Sequence, residues 1–180
     1  MEKSLLKRLK NQDQDAYREL YDEYGSYALR TAFAITGNEA NASDAVQETF
    51  IRIYLNISSY DGSRPFKPWM YRILINECNR LLKKNSKLAY IQDYKESSLR
   101  LSYSDSHRFE EYEQLYKGLQ TLKEIHRLPL ILKYLSGFSD EETAKVLEIN
   151  VNTLKSRVHK GKQKLKKRME EQSEGGKVHE

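Results

Sequence analysis

Cysteine occurs once in this 180-residue sequence, at position 78, so no disulfide can form within the chain. A lone thiol fits a reducing compartment. Proline occurs three times, at 65, 68 and 129, and glycine eight times. Strand signals are nearly absent, and helical periodicity is almost everywhere. No stretch approaches the ~20 apolar residues that span a bilayer. The N-terminal MEKSLLKRLKNQDQD has no apolar run of signal-peptide length. A soluble, cytoplasmic protein is expected. The four histidines, at 107, 126, 159 and 179, lack metal-ligand spacing, and Cys78 has no evident partner. There is no phosphate loop and no nucleophile motif. Catalysis needs a convergent set of titratable groups, so we expect no enzyme, no cofactor and no metal.

Acid is missing too, but only locally. From Lys155 to Arg168 there are eight Lys or Arg and no Asp or Glu. The net charge of the whole chain is a modest +5, so the charge is unevenly spread. Residues 1–60 carry nine acids and seven bases, residues 61–87 seven bases and two acids, and residues 88–154 eleven acids and eight bases. Two basic blocks on an otherwise acidic or balanced chain point to two contacts with a polyanion.

Apolar spacing divides the chain. Ala16, Leu20 and Tyr24, then Tyr27, Leu29, Ala32, Phe33 and Ile35, predict two helices broken near Gly25 and stopped at Gly37. A third helix is predicted from Asn41, whose side chain can cap, with Asp44 at the positive end of the helix dipole. It carries Val46, Phe50, Ile53 and Ile57. SSYDGSRP, 58–65, reads as a loop, and a fourth helix follows Pro68 through WMYRILINECNRLLKK. From about Asn85 to His107 the pattern dissolves into a Ser- and Tyr-rich stretch, too long for a loop inside one compact domain. The expected fold is all-α: two small helical domains on a flexible linker. The first spans 1–85, the linker 86–107 and the second 108–171, with 172–180 a disordered tail.

The second domain opens with RFEEYEQLYKGLQTL, an amphipathic helix, and RLPLILKYLSGF, a second helix ended by Gly137. Ser139 with Glu142 forms a capping box for a short helix to Leu147. EIN, 148–150, is the turn, and Asn150 can cap the helix beyond it. A short helix, a tight turn and a longer basic helix make a helix-turn-helix. Ala144 is small enough for a close crossing, and Ile149 can plug the junction. Val151, Leu154 and Val158 face inward. Asn152, Lys155, Ser156, His159 and Lys160 form an outward stripe. These side chains can bond base edges and phosphates in a major groove. An ordinary solvated face mixes signs to gain pairs between turns. Eight bases without an acid repel one another, which points to nucleic acid as the partner.

The first domain holds the other basic block, with rings interleaved: Tyr60, Arg64, Phe66, Lys67, Trp69, Tyr71, Arg72, Arg80, Lys83 and Lys84. Rings stack on unpaired bases while cations track a single strand. Core packing competes for the same rings, since Trp69, Ile73, Leu81 and Leu82 also have core spacing. NASDAVQETF is opposite in character. Asp44, Gln47 and Glu48 share one helical face, which repels phosphate and suits a protein partner, though on these residues alone an ordinary exposed face explains it as well.

The stretches DAVQETF, FKPWMYRILINECNR and GFSDEETAKVLEINVNTLKSRVHKGKQKL, in this order, resemble the extracytoplasmic-function (group IV) sigma factors of the sigma-70 family. The resemblance runs from about Gln14 to Met169. It implies promoter-specific transcription initiation by RNA polymerase, with the first domain on the −10 element and assisting promoter opening, and the second on the −35 element. Asp44, Gln47, Glu48 and Phe50 fall where the family binds the β′ clamp helices of the core polymerase. Arg64, Phe66, Trp69, Arg72, Asn76 and Arg80 fall where it meets −10 DNA, and the 58–67 loop where it cradles a flipped base. Asn152, Thr153, Lys155, Ser156, Arg157, His159 and Lys160 fall in the −35 recognition helix. The second domain is implied to bind the β flap. An anti-sigma factor, in this family often membrane-bound, is an implied partner, and stress response an implied role. The sequence departs from the family at Pro129, at Thr143 where a small hydrophobe is usual, and at Asn79 and Arg80, where an Asp is frequent.

The rival reading is a regulator that binds duplex DNA by itself, its first domain sensing or dimerising. Either way, the two domains should be separable. Limited proteolysis of the isolated chain should cut within 86–107 and leave two stable fragments. Protection of that stretch with cutting elsewhere would contradict the division.

Overall fold

A computed structural model describes residues 3–63, 65–88 and 113–175, and every regular element among them is helical. The chain divides into two compact units, with the break among residues outside that set. The front unit contains α1 (Lys3–Lys10), α2 (Gln14–Thr36), α3 (Glu39–Asn56), a 3-10 turn (Ile57–Ser59) and α4 (Phe66–Leu88). The back unit contains α5 (Glu113–Gln120), α6 (Glu124–Leu130), a π-helical turn (Ile131–Leu135), α7 (Asp140–Val146) and α8 (Val151–Gly175).

In the front unit α2, α3 and α4 pack on one another, around Leu20, Ile35, Ile53, Met70, Tyr71 and Leu74. Asp13 caps α2 by accepting from the Asp15 and Ala16 amides at 2.9 and 3.2 Å. Arg8 holds the Asp13 carboxyl below the usual carboxylate range, chiefly by a side-chain hydrogen bond. The predicted break at Gly25 does not occur, and one helix runs to Thr36. An interior glycine costs only ~1 kcal/mol. The buried row Leu20, Tyr24, Ala28, Ala32 and Ile35 continues across it, each large member stabilising by about 1.5–3 kcal/mol. Gly37, at φ 68°, then stops the helix as predicted.

The third helix starts at Glu39, not Asn41. Its cap is Asn38, whose Oδ1 accepts from the Asn41 amide at 2.9 Å. The fourth starts at Phe66 and takes Pro68 into its first turn, where a missing N–H removes no intrahelical bond. It runs on to Leu88, three residues past the predicted domain end.

The back unit is organised by its caps. The Ser139 hydroxyl accepts from the Glu142 amide at 3.1 Å, and the Glu142 carboxylate accepts from the Ser139 amide at 2.9 Å. Asn150 Oδ1 accepts from the Thr153 amide at 2.7 Å, capping α8 as predicted. Thr143 is buried with its hydroxyl donating to the Ser139 carbonyl at 2.7 Å, so a polar residue fits there. The predicted single helix over 127–138 is instead α6 followed by a π turn. Pro129 cannot donate backward, and the chain closes the wider loop with Ser136 N–H on the Ile131 carbonyl at 3.0 Å. Helix α8 extends to Gly175, into the predicted tail.

Helix α8 lies against α5, α6 and α7. Leu154 is fully buried and Val158 nearly so. Two glycines set the approach. A Cβ at Gly161 would stand 3.1 Å from both the His126 carbonyl oxygen and Leu130 Cδ1, and one at Gly118 would stand 2.9 Å from Leu165 Cδ1. Gly161→Val should therefore destabilise the back unit by ~1–3 kcal/mol through overpacking. Lys160→Val, the same residue on the exposed face, should stay within about 0.5 kcal/mol. Equal denaturation midpoints for the two variants would show that α6 and α8 are not held this close.

Candidate nucleic-acid and polymerase interfaces

The first half of α8 presents Asn152, Lys155, Ser156, His159 and Lys160, all exposed. Thr153 and Arg157 are half-buried. Thr153 is tied to the cap through its amide. The Arg157 carbonyl lies 3.3 Å from Nδ1 of the buried His126, the geometry of a donated N–H. His159 Nε2 is 3.0 Å from Gln163 Nε2. The basic run is not as uniform as its sequence. Lys166, Lys167 and Arg168 meet Glu170 and Glu171 one turn on, at 3.7, 4.0 and 3.2 Å. Among the described residues Lys155, Arg157, Lys160, Lys162 and Lys164 have no carboxylate partner. Lys162 instead lies 4.6 Å over the Tyr134 ring. The unneutralised charge belongs to the end of α8 that follows the turn.

In the front unit Trp69, Arg72, Asn76 and Arg80 follow one another at spacings of three and four along α4, so they share a face. Arg72, Asn76 and Arg80 are exposed and Trp69 is half-buried. Phe66 takes the core-packing side of the two uses open to these rings: it is 4% exposed, with Tyr24, Tyr60 and Trp69 each 5.6 Å away ring to ring. Its ring supports Tyr60 and Trp69. Arg64 lies outside the described residues. The loop before α4 rests on α1, with Leu6 so close to Gly62 that a Cβ there would meet it at 2.9 Å. Lys10 Nζ donates to the Tyr60 carbonyl at 3.1 Å, and Asp61 accepts from the Ser63 amide and hydroxyl at 3.0 and 2.8 Å.

On the third helix Asp44 and Gln47 are exposed, and Glu48 and Phe50 are half-buried. Gln47 and Phe50 line an open groove of about 670 Å³ with Tyr17, Tyr21, Val46 and Tyr54. Two ring pairs build its walls, Tyr17–Tyr54 at 4.7 Å and Tyr21–Phe50 at 4.9 Å between centroids. Tyr21, Ile51, Tyr54 and Leu55 remain exposed beside it. The groove is apolar and ring-lined, and Asp44 is exposed on the third helix. The sequence reading missed the tyrosines, whose helical spacing looks like core. It also missed a charge chain beneath the acidic face. Glu48 and the buried Glu77 both bond Arg52, at 3.2 and 2.6 Å, and Glu77 also bonds Arg80 at 2.6 Å. That bond raises the Arg80 pKa.

A protein-family model described as Sigma-70 region 2 matches residues 20–88, and one described as Sigma-70, region 4 matches 112–165. The chain is 30% identical over 181 residues to the ECF RNA polymerase sigma factor SigW of Bacillus subtilis, covering 94% of this chain and 97% of SigW. The chain is an extracytoplasmic-function sigma factor of the sigma-70 family. As such it is an RNA polymerase sigma factor that serves promoter-specific transcription initiation. SigM of the same organism is 31% identical over 150 residues, covering 82% of this sigma factor and 91% of SigM. The fold matches that of CnrH, solved with the cytosolic domain of CnrY, at TM-score 0.71 and 23% identity over 90% of this chain and 92% of that one. It also matches a Bartonella quintana sigma factor, RpoE, solved with the anti-sigma factor NepR, at TM-score 0.67 and 22% identity over 85% and 98%. No described helix of this sigma factor is long and apolar enough to cross a membrane.

The burial pattern separates support from contact. Phe66→Ala should cost ~3–5 kcal/mol, the usual loss for a buried ring. Arg72→Ala should stay within about 0.5 kcal/mol. Equal, small losses in thermal unfolding of the two variants would put Phe66 on the surface and contradict its placement.

Proposed function

We propose that this sigma factor reads the −35 element with the first half of α8 and the −10 element with the exposed face of α4, while α3 holds the core polymerase. The observation that carries the reading is the carboxylate-free, exposed stripe Asn152, Lys155, Ser156, His159 and Lys160, on a helix docked by Leu154 and Val158 behind a capped turn. In helix-turn-helix docking this part of the second helix enters the major groove. Helix α8 has 25 residues, about 37 Å at ~1.5 Å per residue. That is far longer than a groove ~12 Å wide, so Lys162 and Lys164 meet phosphate instead of bases.

In the front unit Trp69, Arg72, Asn76 and Arg80 face the −10 strand and the 58–67 loop takes a flipped base, which assists opening. Asp44, Gln47, Glu48 and Phe50 with the tyrosine groove bind the β′ clamp helices, and the back unit binds the β flap. An anti-sigma factor that covers these surfaces would hold the protein inactive; RpoE, a protein of the same fold, was solved in complex with the anti-sigma factor NepR. The protein acts in the cytoplasm, with promoter DNA and polymerase as partners and no catalysis of its own.

The experiment is transcription with core polymerase from a library of −35 variants at two salt concentrations. Lys155→Ala should change which −35 sequences are used, by ~1–3 kcal/mol for a good base contact. Lys164→Ala should weaken all promoters about equally and flatten the salt dependence. If Lys155→Ala lowers every promoter by one factor, the recognition role of the stripe is wrong. In a separate titration Glu48→Lys should weaken assembly with core polymerase without loss of fold, and an unchanged core affinity would refute the assignment of the third helix.

A further inference from the structure

Among the described residues Glu77 is the one buried carboxylate, its side chain 5% exposed. Nothing assigned to DNA or polymerase uses it. A lone buried carboxylate is strongly unfavourable, and it persists only with partners of opposite charge and hydrogen bonds to its oxygens. Glu77 has both. Arg52 Nε, from the third helix, is 2.6 Å from Oε1. Arg80 Nε, one turn further along α4, is 2.6 Å from Oε2. Each oxygen thus takes one guanidinium. The arginine side chains stay 44% and 51% exposed, so their outer N–H groups still face water.

A guanidinium is planar, with five N–H donors in a fixed fork. Fixing Nε on a carboxylate therefore fixes where the outer donors point. An arginine on a bare helix surface samples many rotamers, but Arg80 does not have that freedom. It is clamped on the face that also carries Trp69, Arg72 and Asn76. Arg52 anchors the same carboxylate from a second helix, which makes the clamp part of the packing of the third and fourth helices instead of a loose pair within one turn.

We propose that Glu77 is a positioning residue for promoter recognition: held by Arg52, it sets the direction in which Arg80 presents its free donors to the −10 strand. The inference rests on the reading that this face of α4 meets the −10 strand. It adds that the information at Arg80 depends on a carboxylate that touches no DNA.

The test is transcription by full-length protein with core polymerase from a library of −10 variants, for Glu77→Gln, Glu77→Asp, Arg80→Ala, Arg80→Lys, Arg72→Ala, Asn76→Ala and the double variant of Glu77→Gln with Arg80→Ala. Core affinity and thermal unfolding are measured for each. Arg80→Ala and Glu77→Gln should shift the ranking of promoters in the same direction, by about fivefold between the most affected sequences, the scale of coupling between contacting charges. The double variant should be no worse than Arg80→Ala, core affinity should not change, and Glu77→Asp should restore part of the wild-type ranking. Arg80→Lys keeps the charge but loses the fork, so it should rank promoters as Arg80→Ala does. Glu77→Asp keeps the buried charge but shortens the clamp, so it reads the claim even if Glu77→Gln fails to fold. The proposal is overturned if Glu77→Gln scales every promoter by one factor, if its effect adds to that of Arg80→Ala, or if Arg80→Lys keeps the wild-type ranking. If Arg80→Ala does not shift the ranking while Arg72→Ala and Asn76→Ala do, the −10 reading stands and the proposal falls. If none of the three shifts it, both fall.

Discussion

A helix that carries unneutralised positive charge cannot be held to its own protein by that charge. The back unit meets this constraint with apolar contact and close approach. Leu154 and Val158 bury one side of α8, and Gly161 brings its backbone near the His126 carbonyl. The cap at Asn150 and the capping box of Ser139 and Glu142 fix the entry of both helices without spending any of the exposed cations. Pairing with Glu170 and Glu171 is confined to the far end of the helix. Stability and exposed positive charge therefore rest on different atoms of one helix.

The front unit divides its residues in the same way but with the opposite use of charge. Its cations are partly neutralised from within, by Glu77 beneath the surface and by Glu48 at the acidic edge. Its rings are graded by depth: Phe66 and Tyr60 are buried, Trp69 leans on both at half depth, and Tyr21 and Tyr54 of the groove are exposed. An acidic, ring-lined surface and a basic face thus occur on adjoining helices of one small unit, and the ion chain ties those helices together. This is the arrangement a factor needs if it must hold a protein and a nucleic-acid strand at once.

What the sequence made legible was whatever is decided locally. Gly37, Ser139 with Glu142, and Asn150 are caps, and caps act within three or four residues, so they read directly off the chain. The inward set Leu154 and Val158 and the outward stripe beginning at Asn152 follow from helical period alone. What failed was decided at a distance. Gly25 looked like a break because its helix is continuous only by virtue of burial against neighbouring helices. Asn38 and Asn41 are both good caps, and only packing chooses between them. Phe66 sits among basic residues, and its depth depends on Tyr24, far away in sequence. Gly161 carries no local signal, since it is explained by residues on another helix, and Glu77 shows locally only its pairing with Arg80, not its burial or its bond to Arg52.

The central claim is that promoter recognition by this chain is completed by core polymerase. The most direct test is a footprint on promoter DNA by the purified protein, with and without core enzyme, together with mapping of transcript starts. The account predicts weak, salt-sensitive and unspecific protection by the protein alone. With core polymerase it predicts protection over both −35 and −10 elements, and starts at fixed positions. Tight, sequence-specific protection of duplex DNA by the protein alone, with no transcript on adding core polymerase, would contradict it.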